Sequence, residues 1–405
     1  MTTDEQRDPS ADADDRLLPT GEDAGTPPGD RPFRPDIEGL RAVAIIFVVM
    51  LHFGIPHLAG GIIGVDVFFV ISGFVITGLL LRESASTGSI SFAMFYARRA
   101  RRLLPMAMLV IIVSMITTAL IASRADVLRV ASDARWSAAF LANIHFASVD
   151  PNVLVTRESP LTAYWSLAVE EQFYLIYPAL FVSLLWIPGR WSTRFRISAG
   201  LIFVVLISLS ISIAISSRGQ LGPYDSLATR AWELAVGGLV ALSTSACSRI
   251  PARHAAFLTW IGLLGIVVSG LVLSVAYPYP GIVAALPVVS TALVIAGGAG
   301  APRGGAEVIL GLGPVRWLGR RSYSWYLWHS CIFALVVIAS GTAFAALSTL
   351  DRIGWTALSL AIASLTYTLV ENPIRHSGWL ARSPLATVLG AVLLVVTCFA
   401  LSYVI

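Results

Sequence analysis

Residues 38–52 read EGLRAVAIIFVVMLH, an apolar run that opens on Glu38 and Arg41 and closes on His52. Its charged groups sit only at the ends, as a helix inserted into hydrocarbon requires. An α-helix turns 100° and rises 1.5 Å per residue, so the eleven positions from Arg41 to His52 return the side chain to within about 20° of the same azimuth, about 16 Å further along. One face of one helix therefore links a cation at one membrane surface to an imidazole near the other.

The rest of the chain has the same character. Of its 405 residues 56% are hydrophobic and only 13% charged, too apolar for a protein that must cover itself with polar surface in water. All 28 basic residues are arginine, so chemistry that needs a Schiff-base lysine or a phosphate-cradle lysine is excluded. The net charge of +4 combines basic membrane loops with an acidic tail and is not a nucleic-acid footprint. Cys247, Cys331 and Cys398 are scattered, and no disulfide framework is expected. His57 follows His52 too closely in sequence to share its face and has no evident third ligand, so no metal site is expected.

Residues 1–36, rich in Asp, Pro and Gly and without an apolar stretch, read as a disordered cytoplasmic tail. They lack a cleavable signal peptide's basic start and short apolar core, so the first membrane helix is expected to serve as the insertion signal. Apolar stretches begin near Gly39, Ile62, Leu103, Ser166, Ile197, Ala228, Ala256, Gly281, Ser322, Ile353 and Ala386. They predict an all-α, polytopic membrane protein of about 10–11 transmembrane helices. Residues 37–382 form the expected membrane domain and 383–405 an additional C-terminal helix. With the tail inside, the loops on its side hold Arg82, Arg98 to Arg102, Arg190 to Arg196, Arg249, Arg253, Arg303, Arg316 to Arg321, Arg375 and Arg382. The opposite loops hold only Arg124, Arg129, Arg135, Arg157, Arg218, Arg230 and Arg352. That asymmetry places the N-terminus in the cytoplasm and the C-terminus outside the inner (plasma) membrane. The long outer loop from Ser123 to Trp165 contains RWSAAFLANIHF, read as a short helix or re-entrant piece.

The second span carries Asp66 among apolar residues, and a buried acid is costly unless paired or wet. Within reach of His52 it would orient the imidazole and raise its basicity. An interfacial arginine and a capping histidine are the plainer readings of Arg41 and His52.

Seven blocks occur in order: RPDIEGLRAVA, GVDVFFVISGFVITGLLL, FYARRARRLLP, WSLAVEEQFYLIYP, TRAWELAVGG, LGRRSYSWYLWH and VENPIR. With the Arg41 to His52 spacing, they resemble the membrane-bound acyltransferase family 3, which includes bacterial surface-glycan and O-antigen O-acetyltransferases. The resemblance implies that Arg41 and His52 are needed for activity, that acetyl-CoA or another acyl-CoA is the cytoplasmic donor, and that the acyl group ends on a hydroxyl of a glycan, glycolipid or similar cell-envelope acceptor. His52 would then act as general base or transient acyl carrier, with Asp66 or Glu170 assisting.

The family's paired-arginine motif maps onto Arg99 and Arg102. Together with Arg98 and Arg41 these are the candidate donor clamp, guanidinium forks being suited to phosphate, although positive-inside topology alone also explains them. Glu170 and Glu171 open the fourth span from outside, Glu170 and Tyr174 lying one turn apart on one face. They read as a helix-dipole partner or as a polar pocket for the acceptor. Ala163 stands where related members often have histidine. Glu233 and His329 are intramembrane polar residues, His329 being read as a satisfied structural hydrogen bond.

The blocks are most similar to family members that carry a hydrolase-like domain after an eleventh span. Here that span closes the sequence, so transfer is expected to finish in the membrane domain or on a separate extracytoplasmic partner. A transporter of lipid-linked sugar or small solute, and a non-catalytic partner subunit, are the alternatives.

Overall fold

The computed structural model describes residues 34–55, 59–149, 159–188, 190–218, 225–273, 279–300 and 303–405. Most of the expected tail, residues 1–33, lies outside the described residues, as does His57. Arg34, Pro35 and Asp36, counted with the tail above, belong to the folded part. Helix α1 (Pro35–Phe53) starts on a proline, whose missing N–H has no intrahelical partner at that position. Arg34 holds Asp36 at 2.6 Å and donates to the Ile295 carbonyl at 3.0 Å, which buries both charges.

Among the described residues twelve further helices of eight or more residues follow: α2 (Ile63–Thr87), α3 (Phe92–Ile121), α4 (Arg124–Ala138), α5 (Ala142–Val149), α6 (Tyr164–Trp186), α7 (Thr193–Ser216), α8 (Leu227–Cys247), α9 (Ala252–Val272), α10 (Ala285–Gly298), α11 (Gly313–Ser340), α12 (Thr349–Thr366) and α13 (Pro384–Val404). Among the described residues there is no strand. All eleven apolar stretches of the sequence are helical, and eight of the resulting helices are long and apolar enough to cross a bilayer. The other three are α1 and α8, which carry buried charge, and α10, which has 14 residues. The protein is a multi-pass membrane protein. The long loop expected outside contains helices as well, α4 and α5 among its described residues.

Serine fixes many of the starts. Ser91, Ser123, Ser192, Ser226 and Ser348 each accept the backbone N–H of the third residue of α3, α4, α7, α8 and α12, satisfying donors that a helix leaves unpaired.

The bundle is built from close pairs: α1 against α11, α2 against α8, α7 against α8, α9 against α10, and α13 along α3 and α4. In lipid, helices have no hydrophobic drive to meet each other, so small residues that admit backbone contact become decisive. A Cβ on Gly73 would overlap the Leu234 carbonyl, and one on Gly237 would overlap the Val70 carbonyl. Glycine at both positions therefore sets how closely α2 and α8 approach.

After α12 the helix does not run on regularly. Pro373 offers no N–H for the ladder, and the turn Tyr367–Glu371 widens to π spacing before Asn372–Arg375. This shift turns Glu371 inward, where it accepts from Ser324 Oγ at 2.5 Å.

Gly73→Ala is expected to destabilise the protein by roughly 1–3 kcal/mol through overpacking. Gly354→Ala on α12, which has no neighbouring atom within 4 Å, should leave stability unchanged or slightly raised. Thermal unfolding in detergent measures both.

Candidate functional site

One large cavity opens among α1, α2, α3, α6 and α11, with about 1270 Å³ of open space including its mouth. Its wall carries six arginines, Arg34, Arg41, Arg99, Arg102, Arg320 and Arg375, against two glutamates, Glu38 and Glu170. Two of the arginines are tied locally: Arg34 by Asp36 at 2.6 Å and Arg320 by Glu38 at 3.2 Å. Glu38 also takes Arg316 at 3.0 Å. Arg41, Arg99, Arg102 and Arg375 share the rest of the wall with Glu170, and Glu371 lies buried close to three of them, so the wall holds more arginines than acids. Cations held in a concave, low-dielectric site attract phosphate far more strongly than the same groups in water.

Local structure aims each of them. Arg99 and Arg102 lie three residues apart on α3, so both turn to one face. The Arg99 guanidinium stacks over the Tyr174 ring at 4.5 Å, and Arg41 is steadied by a 3.1 Å bond from Nε to Ser322 Oγ. Glu170 accepts from Ser72 Oγ at 2.5 Å and from the Tyr174 hydroxyl. The one-turn pairing of Glu170 with Tyr174 read from the sequence is therefore present, but not at an outer pocket. Glu170 sits in the same cavity as Arg41, Arg99 and Arg102, because α6 enters the bundle there.

Three sequence expectations are corrected by tertiary contacts. Arg98 does not line the cavity; it turns to the end of α2 and pairs with Glu83 at 2.5 Å. Asp66 does not reach His52. It is fully buried against Arg230 at 2.8 Å and accepts from the Tyr279 hydroxyl. Arg230, counted above as an outer-loop arginine, is inside the bundle and holds Glu233 at 2.9 Å as well. Glu233, whose spacing to Arg230 was the legible signal, is thereby part of this buried brace and not of the cavity wall. In the loop before α8, burial pushes the Asp225 carboxyl up to about 8 against the pull of Arg230.

His52 is exposed at the end of α1 and does not line the cavity. Its Nδ1 lies 2.8 Å from the Val48 carbonyl. A carbonyl only accepts, so Nδ1 carries the proton and Nε2 keeps its lone pair. Its ring stands in edge contact with that of His329, centroids 5.1 Å apart, and His329 in turn contacts Tyr326 at 5.7 Å. Tyr326 belongs to the cavity wall and shares a 2.7 Å hydrogen bond with Ser166. The arginine-lined space and His52 are thus joined through two rings of α11, which the sequence did not reveal.

A second polar cluster braces the loop helices. Asp133 accepts from Ser159 Oγ at 2.7 Å and from His145 Nε2 at 2.9 Å. The carboxylate stands between serine and histidine, so the imidazole does not reach the serine and the order is not that of a serine–histidine–acid triad. Among the described residues no group of three or more His, Cys, Asp or Glu side chains is placed to hold a metal ion.

Fold and site define a multi-pass membrane protein with an arginine-lined chamber inside its helical bundle. The chain belongs to acyltransferase family 3: residues 34–405 match the family described as an acyltransferase domain. It is 30% identical over 370 residues to the peptidoglycan O-acetyltransferase OatA of Listeria monocytogenes, covering 86% of this chain and 57% of that protein. It is 31% identical over 365 residues to the putative peptidoglycan O-acetyltransferase YrhL of Bacillus subtilis, covering 85% and 55% respectively. A putative O-acetyltransferase of Staphylococcus aureus is 30% identical over 364 residues, 85% of this chain and 58% of its own. The chain therefore spans between half and two thirds of the length of these relatives. No solved structure matches it.

Replacing Arg230 by Met leaves Asp66 and Glu233 buried without their cation, and is expected to cost about 3–5 kcal/mol of stability. Arg98→Met removes a partly buried pair at the end of α2 and should cost about 1 kcal/mol, less than the loss of Arg230. Melting temperatures of the two purified variants separate these outcomes.

Proposed function

We propose that this protein is an integral-membrane O-acyltransferase that moves an acetyl group from cytoplasmic acetyl-CoA, or a related acyl-CoA, to a hydroxyl of a cell-envelope glycan. The observation that carries this reading is the chamber wall of six arginines against two glutamates, reached by the same helix that ends in His52. A CoA thioester is a polyanion at one end and a slender apolar-and-amide arm at the other. Arg99, Arg102 and Arg41 match the phosphates, and the aromatic wall of Phe68, Phe69 and Tyr326 suits the arm. The names of the relatives point to an O-acetyl product and to peptidoglycan as the kind of acceptor.

In this reading the arginine-lined mouth faces the cytoplasm, in keeping with the excess of arginine in the short loops on that side, and His52 faces outward. Binding is a matter of the arginine forks, which take phosphate oxygens in pairs. His52 has its tautomer fixed by Val48, so the Nε2 lone pair is the base that takes the proton of an incoming hydroxyl while its oxygen attacks the acyl carbon. Hydroxyl activation needs no carboxylate at His52, and Asp66 serves instead to hold α2 and α8 together through Arg230. Acyl transfer is completed at this histidine or on a separate extracytoplasmic acceptor protein.

The test is acetyl transfer by the purified protein in vesicles supplied with radiolabelled acetyl-CoA, read as free CoA thiol and as label on a peptidoglycan digest. Arg102→Ala is expected to raise KM for acetyl-CoA about 10-fold or more, the loss of a charge-assisted hydrogen bond of roughly 1.5–3 kcal/mol, with kcat little changed. His52→Ala should lower kcat about 10²- to 10⁴-fold at unchanged KM. Solute movement across the vesicle with no dependence on acetyl-CoA would replace this reading with a transporter.

A further inference from the structure

In the proposed reaction the acceptor oxygen bonds to the thioester carbon at His52, so the CoA arm has to carry that carbon out of the arginine-lined chamber. The chamber stops short of it. Tyr326 is the last residue of α11 to line the space and Ser166 the first of α6, with Phe68 beside them on α2. His52 is absent from the wall. One turn beyond Tyr326 on α11, His329 is fully buried outside the chamber and in ring contact with His52 at 5.1 Å. About one helical turn of packed side chains therefore separates the closed end of the chamber from the imidazole.

Two contacts close that end. The Tyr326 hydroxyl shares a 2.7 Å hydrogen bond with Ser166 Oγ, which ties α11 to α6. From α2, the Phe68 ring meets the Tyr326 ring edge-on, centroids 6.2 Å apart. Tyr326 is only partly buried, although both its chain neighbours, Trp325 and Leu327, are buried. Its open side is the chamber, so the ring has room to swing where a residue of the close-packed core has none. Holding it in place is one neutral hydrogen bond, and the amides of a CoA arm offer replacement partners to both hydroxyls.

Resting on the proposed acyl transfer, we propose that Tyr326, latched to Ser166, is the gate through which the thioester reaches His52, and that it restricts the donor to slender, unbranched acyl groups. The part of the arm next to sulfur is an unbranched chain of methylenes and amides, and it sets the width that the gate has to admit. An acetyl head is no wider than the chain behind it. A branched head has to force the ring further from Ser166 and Phe68, against contacts that the arm does not replace.

The structural alternative is that Tyr326 only packs α11 against α2 and α6. The purified full chain is assayed for thiol release from acetyl-, n-butyryl- and isobutyryl-CoA with the peptidoglycan digest as acceptor, beside its melting temperature and its Kd for CoA. The two butyryl isomers separate width from length. Wild type is expected to favour both acetyl- and n-butyryl-CoA over isobutyryl-CoA by about 10-fold or more in kcat/KM. Tyr326→Ala and the bulkier Tyr326→Leu should lower that preference to about threefold or less, whichever melts like wild type. Their Kd for CoA should stay within about twofold, since the arginines are untouched. Ser166→Leu, which narrows the gate from the opposite wall, should raise the preference and lower kcat for acetyl-CoA. A packing role alone moves the melting temperature and leaves the preference as it was. Wild type that uses the two butyryl isomers equally overturns the gate, as does a folded Tyr326 variant that keeps the wild-type preference. Wild type that neither binds CoA nor releases thiol overturns the parent reaction, and the gate falls with it.

Discussion

Charge inside a membrane protein is held only where it is paired or where it faces a space that another charge will enter, and this constraint organises the whole bundle. Arg230 with Asp66 and Glu233 is the paired case. All three are fully buried, on helices α2 and α8 that the glycine contacts bring together. The cluster ties α2 to α8, with Asp66 held by Arg230 and Tyr279. The chamber is the other case. There the arginines of the wall outnumber its acids, which is the feature the proposed donor would answer.

The same constraint explains how the ends of the proposed reaction communicate. Helix α1 alone supplies a cation and an imidazole on one face, but a helix face is not a passage. Helix α11 stands beside both, its Ser322 steadying Arg41, its Tyr326 lining the chamber and its His329 touching His52. Two adjacent helices thus share one functional surface, and their close packing along most of their length is what keeps its parts in register. The π-turn after α12 serves the same surface from a third side, setting Glu371 against α11 and Arg375 into the wall.

Much of this was legible in the residues. The apolar stretches fixed an all-helical membrane architecture, because a backbone in hydrocarbon has few other ways to satisfy its hydrogen bonds. The spacing of Arg41 and His52, of Arg99 and Arg102, and of Glu170 and Tyr174 gave correct relations within single helices, since a helical period converts directly into shared azimuth. Errors arose wherever a residue had to choose a partner on another helix. Arg98 differs from Arg99 by one position and about 100°, enough to send it to Glu83 instead of the chamber. Asp66 and His52, neighbours in the sequence, lie apart because Arg230 offered the acid a full charge where the imidazole offered none.

By itself, then, the sequence determined the all-helical membrane class, the places of the eleven apolar helices and the residues that share a face, all of which follow from local periodicity and from the cost of polar groups in lipid. Only the tertiary structure decided which charges cancel and which remain for a ligand, that Glu170 belongs with the arginines, and that His329 stands between His52 and the chamber. Those outcomes depend on which helices touch. Contact among apolar helices is governed by small-residue fit and buried ion pairs, neither of which has a period that a single sequence displays.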